Sequence, residues 1–145
     1  MLNHHNGRRE LIIKGSEKDS VGDTLPKPEN MYKVIYDCDL EEEARKIVTD
    51  CAPSFQKSAS NGINFRHFNI ASGDKPDDAE DPLVSAVVEW LFNGTARVWP
   101  QDNKYDGDDG FLAYANMMHS KKTRVGCYEA KCVDKASAAC VYDQP

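Results

Sequence analysis

The cysteines constrain this chain more than any other feature. Three of the five stand near its end, at Cys127, Cys132 and Cys140, in a C-x4-C-x7-C rhythm inside "KKTRVGCYEAKC…AAC". A closed zinc site wants four ligands, usually from paired C-x2-C units. This spacing lacks those pairs, and no histidine stands nearby in a ligand rhythm. Disulfides are the better reading, and five cysteines in 145 residues point to an oxidising compartment. The odd count leaves one thiol over.

Such a length supports one domain with a sizeable core. Hydrophobic residues make up 40% and charged residues 29%, as in an ordinary globular domain. The formal charge of −6 argues against a nucleic-acid partner, whose contact surface is normally basic. No apolar run approaches the roughly 18 residues that cross a bilayer. "MLNHHNGRRELIIKG" has no continuous apolar stretch or small-residue cleavage site of a signal peptide. It reads as an amphipathic helix already under way, stopped by Gly15. The expectation is a single domain over residues 1–145 that starts inside its first helix, its signal peptide missing.

Residues 16–30 are polar, punctuated by Gly and Pro, and read as a loop. In "DLEEEARKIVTDCA" Asp39 and Glu42 form a D-x-x-E capping pattern. Leu40, Ala44, Ile47, Val48 and Cys51 then recur on one helical face. Asn61-Gly62 marks a turn before a strand-like aromatic run. Asp81-Pro82 opens a second clear helix, with Leu83, Val84, Val87, Val88 and Leu91 as its expected buried face and an end near Asn93-Gly94. "FLAYANMM" is a shorter helix, and strands are expected around 123–129 and 136–142. Helices flanking a small strand set mean an α/β layered domain.

The chemical motifs are weak. "DNKYDGDDG" resembles a calcium loop, but counting from Asp102 the third position is Lys104 and the twelfth is Ala113, where a bidentate Glu belongs. It reads as a solvated acidic loop. His4, His5, His67 and His119 form neither H-x3-H nor H-E-x2-H. For His4 and His5 the expected role is hydrogen bonding to backbone. No G-x-S-x-G and no phosphate-binding glycine loop is present. Asn93-Gly94-Thr95 is a glycosylation sequon.

Three blocks together resemble one family. "HNGRR" at 5–9 is similar to the H-N-x-x-R segment of the CAP superfamily, which comprises cysteine-rich secretory proteins, antigen 5 and pathogenesis-related proteins of class one. "MYKVIYDCDLEEEA" resembles the M-x-x-L/I-x-Y-D-C-x-L-E-x-x-A segment of its nematode branch, the activation-associated secreted or venom-allergen-like proteins. "RVGCYEAKC…AACVYDQP" is similar to the family's closing block. The resemblance implies a three-layer α-β-α sandwich around a small central antiparallel sheet. It also implies Cys127–Cys140 and Cys51–Cys132 disulfides, with Cys38 left without a partner in this chain.

The family commonly carries a cleft tetrad of two His and two Glu able to hold a divalent metal. At the matching positions this sequence has Lys57 in "FQKS", Ile63 in "GIN", Asn93 three residues after Trp90, and Ala113 in "LAYAN". Those side chains cannot coordinate zinc. Glu89 shares a helical face with Asn93 and is expected to pair with Lys57. The resemblance therefore implies a secreted, extracellular, non-enzymatic protein with no catalytic residue and no metal or other cofactor. It would bind a protein partner such as a host receptor and modulate immunity. The alternative is an extracellular sterol or fatty-acid carrier. Asn93, at the mouth of the former cleft, is the expected glycan acceptor.

Overall fold

The structure is a computed structural model that describes residues 1–56, 60–70, 81–100, 104–105 and 107–145. Helix α1 spans Leu2–Lys14 and stops at Gly15, whose φ of 69° is a left-handed cap. Strand β1 is Ile35–Tyr36, and α2 is Cys38–Val48, followed by a 3-10 turn at Thr49–Cys51. Then come β2 (Gly62–Asn69), α3 (Pro82–Thr95), α4 (Asp109–Met118), β3 (Arg124–Lys131) and β4 (Lys135–Tyr142).

The sheet runs β1-β3-β4-β2. Pairs β3–β4 and β4–β2 are antiparallel, as expected, while the two-residue β1 lies parallel to β3 at the edge. Alternation along the strands sorts side chains between two cores. Phe68, Ala136, Ala138, Cys140 and Tyr142 face α1, α3 and α4, and meet Ile12, Trp90, Phe111 and Met117 in the larger cluster. Ala139 and Val141 face the other way and bury against Leu40, Ala44 and Val48 of α2. One sheet with helices on both faces is the α-β-α sandwich.

The α2 stripe of Leu40, Ala44 and Val48 is buried as its periodicity predicts. The cap, however, is Asp37, whose carboxylate accepts from the amides of Asp39 and Leu40. Gly126 lets this helix end approach the sheet: a Cβ there would meet the Glu41 amide nitrogen at 2.0 Å and the Leu40 carbonyl carbon at 2.4 Å. Helix α3 starts at Asp81-Pro82 as predicted, with Asp81 accepting from the Val84 amide. Its buried face is rotated from the expected one. Ala86, Val87, Trp90 and Leu91 are buried, whereas Val88 is 49% exposed. Trp90, absent from the expected face, lies in the larger cluster, where burial of its ring is worth most.

Two disulfides close the fold. Cys127–Cys140 bridges directly opposed residues of β3 and β4. Cys51–Cys132 ties the turn after α2 to the β3–β4 connection, across 81 residues. Cys38 is an exposed free thiol.

Candidate functional site

The site is framed by a buried polar core that hydropathy cannot reveal. Three positions of α1 on one helical face, His5, Arg9 and Ile12, are buried. Arg9 donates from Nε to the Tyr32 carbonyl at 2.8 Å, from Nη1 to those of Met117 (2.9 Å) and His119 (3.0 Å), and from Nη2 to that of Lys122 (3.1 Å). One guanidinium therefore fixes the segment before β1, the end of α4 and the approach to β3. Burial lowers its pKa to about 10, so it stays cationic at neutral pH. Asn6 adds a second pin, donating to the Val34 carbonyl at 3.0 Å and accepting from the Val34 amide at 2.9 Å.

His5 opens a chain of side chains that crosses to α4. Its Nδ1 lies 3.2 Å from the Met1 carbonyl and its Nε2 lies 2.9 Å from the Tyr142 hydroxyl. A carbonyl only accepts, so Nδ1 carries the proton and Nε2 accepts from Tyr142. Burial holds the imidazole neutral, its pKa lowered to about 4. Asn64 donates to the Ala113 carbonyl at 2.8 Å and to Tyr142 at 3.2 Å. Asn116 donates to Asn64 at 2.9 Å and accepts from Lys122 Nζ at 2.6 Å. The "HNGRR" resemblance was the one signal in the sequence for this core. Nothing in it marked Asn64, Asn116 or Lys122.

On the outer side of the Arg9 pin lies a cleft of about 660 Å³. Ile12, Trp99, Phe111 and Met118 give it an apolar floor, and Leu25, Pro26 and Pro28 form part of a wall. Lys27, Glu29, Tyr32 and Lys121 also border it. Trp99 stands edge-on to Phe111, centroids 4.8 Å apart, an arrangement that aromatic pairs favour. Such a cleft can receive an apolar body with a polar end.

Three of the four positions matched to the family tetrad lie among the described residues. Lys57 lies outside the described residues. Ile63 packs with the α2-side cluster, whereas Ala113 packs against the larger cluster on the opposite face of the sheet. Asn93 is half-buried on α3. Glu89 is paired with Arg66 of β2 at 3.2 Å. That contact is a charge pair without an aligned hydrogen bond, since Arg66 Nε has no hydrogen-bond acceptor among the described residues. Among the described residues no three His, Cys, Asp or Glu side chains gather as a metal site. The acidic loop near Asp108 lies partly outside the described residues, and Asp108 itself caps α4 through the Gly110 amide.

One Ser–His contact invites a catalytic reading. His67 Nδ1 lies 3.0 Å from Ser137 Oγ. Ser137 donates its proton to the Ala52 carbonyl at 3.0 Å, so its hydroxyl accepts from the imidazole. The serine is also fully buried. The geometry is that of a structural bond, the reverse of what an activated nucleophile needs.

Comparison with known proteins gives one consistent result. The chain is 30% identical over 145 residues to Ancylostoma secreted protein of Ancylostoma caninum, an alignment covering 98% of this chain and 32% of that protein. It resembles the crystal structure of Na-ASP-1 with a TM-score of 0.84 and 28% identity, over 98% of this chain and 35% of the other. It shares its fold with NaASP2 crystallised with Zn2+, at a TM-score of 0.74 and 23% identity over 97% of this chain and 75% of that one. The chain thus spans about a third of the length of the first two. A family model matches residues 2–142, and with the sandwich, the two disulfides and the HNGRR core in place, the chain belongs to the CAP family, the cysteine-rich secretory protein family.

Proposed function

We propose that this is an extracellular, non-catalytic binding domain of the nematode host-interaction kind, and that it engages a protein partner through the segment leading into β1. The observation that carries this reading is the exposure of Tyr32 (64%), Ile35 (62%) and Tyr36 (41%) within five residues. Their backbone is pinned by Asn6 and Arg9, so these side chains are presented without a large ordering cost. Exposed aromatics on a rigid frame suit an interface centre. Immobilised domain should capture a protein from host serum or leukocyte membranes, and Tyr32→Ala with Ile35→Ala should release it. Equal capture by that variant would sink the reading.

The non-catalytic part rests on Ile63, Asn93 and Ala113, with Lys57, at the positions of the family's ligands. Calorimetric titration with zinc should find no site tighter than about the micromolar range. Tight stoichiometric binding, lost in Glu89→Gln or His67→Ala, would contradict it.

The cleft favours a second reading, an extracellular carrier of a sterol or fatty acid. Its apolar floor suits the hydrocarbon body of either ligand, and Lys27, Glu29 and Lys121 at its border can hydrogen-bond a carboxylate or hydroxyl head. Organic extraction and mass spectrometry of protein secreted from eukaryotic cells separates the two. A stoichiometric lipid, displaced by Ala115→Trp, would support the carrier.

A further inference from the structure

Asp50 and Cys51 are consecutive non-glycine residues with φ of 59° and 48°. This left-handed region is unfavourable for L side chains, and two in succession are rare. The turn they form links the end of α2 to the Cys51–Cys132 bond, so the bond and the strained backbone hold one another in place. Its two cysteines sit in different surroundings. Cys51 is fully buried, whereas Cys132 is half-buried in the connection between β3 and β4, beside the fully exposed Val133. The other disulfide offers no such approach: Cys127 and Cys140 face each other within the ladder, and both are buried.

We propose that Cys51–Cys132 is a thiol-exchange site, opened by a small extracellular thiol, while Cys127–Cys140 is a permanent staple. The incoming thiolate attacks Sγ of Cys132, the less buried of the two cysteines, forming a mixed disulfide there. The Cys51–Cys132 bond breaks, and Cys51 leaves as a thiolate that takes up a proton. A second thiol resolves the mixed disulfide, so two thiols are oxidised to one disulfide as the protein bond is reduced by two electrons. Opening lets Asp50 and Cys51 return to ordinary dihedrals, which favours the forward direction. The C-terminal end of α2 then loses its covalent tie to the β3–β4 hairpin. Its N-terminal end stays seated on Gly126. The device is a redox-sensitive tether on one end of one helix.

The test uses the intact protein and a Cys38→Ser variant, which removes the one free thiol as an attacker. Each is exposed to graded glutathione under native conditions, alkylated, and mapped by mass spectrometry. Cys51 and Cys132 should become reactive at about tenfold lower thiol than Cys127 and Cys140, with the glutathione adduct on Cys132. Asp50→Gly, which accepts the left-handed dihedrals, should make the bond several-fold harder to open. Hydrogen exchange should rise around residues 44–52 in the opened form and little elsewhere. Simultaneous opening of both bonds, an adduct on Cys51, or opening unaffected by Asp50→Gly would overturn the assignment.

Discussion

Lys122 donates from Nζ to Oδ1 of Asn116 at 2.6 Å, and both residues are buried. An ammonium is thus buried against a neutral amide, with the Tyr142 ring 5.1 Å away. Burial first, and the Arg9 charge second, lower its pKa from the ordinary 10.5 to about 8, against the opposing pull of Asp143.

That displacement has a definite sign. The unfolded chain holds the Lys122 proton more tightly than the folded one, so folding is penalised at neutral pH. The penalty lifts as pH rises from 8 towards 10. Denaturant titrations should show stability rising by roughly 2 kcal/mol between pH 7 and 9.5. Above pH 10 the buried Tyr114 and Tyr142, whose pKa values burial raises, oppose further gain. Lys122→Met should flatten the rise; a rise of the same size in that variant would mean another group causes it.

His5 gives the complementary acid limb. Its folded pKa of about 4 lies below the ordinary 6.5, again chiefly through burial. The stability it permits is complete above pH 6.5 and is lost as pH falls towards 4, by about 3 kcal/mol in all. His5→Phe should be less stable at pH 7, because Tyr142 loses its acceptor, yet show a shallower decline between 6.5 and 4. Thermal melts across that range decide the matter.

Two glycines should respond in opposite directions to alanine. At Gly126 the added methyl meets the α2 backbone at 2.0 to 2.6 Å, where nothing flexible can yield. Gly126→Ala should cost more than about 3 kcal/mol or prevent folding. At Gly7, inside α1 and exposed, a Cβ meets nothing within 4 Å. Gly7→Ala should stabilise by about 0.5–1 kcal/mol. Denaturation midpoints of the two variants measure both.

Asn93 of the Asn93-Gly94-Thr95 sequon should carry a glycan in protein secreted from eukaryotic cells. In the fold Asn93 is half-buried, and the Thr95 hydroxyl lies within bonding distance of the Phe92 carbonyl at 3.1 Å. The sequon is thus engaged in α3 once folding is complete, so modification must precede helix closure. Enzymatic deglycosylation should lower the mass of the wild type and leave Thr95→Ala unchanged. No shift in the wild type refutes the assignment.

Much of the architecture was legible locally. Gly15 ends α1, Asp81-Pro82 starts α3, and the α2 stripe of Leu40, Ala44 and Val48 is buried, because caps and periodicity act over one or two helical turns. Errors arose where the deciding partner was distant. Asp39 had the right spacing for a cap, but Asp37 holds that place, because β1 pairs with β3 up to the Asp37 amide and the helix turns off there. Val88 looked like core by spacing, yet it is exposed while Trp90 is buried. Glu89 pairs with Arg66 of β2, a partner that no local spacing marks.

The sequence by itself determined the order of the helices and the longer strands, the end of α1, the start of α3 and, through family resemblance, the disulfide pairing to expect. Tertiary structure alone decided the buried polar core and the cleft beside it. His5, Asn64, Asn116 and Lys122 are spread over more than 110 positions and become partners only when α1, β2, α4 and the approach to β3 converge. A polar side chain read locally belongs at the surface. It can be buried only where distant chain segments supply its hydrogen bonds, and no local pattern records that supply.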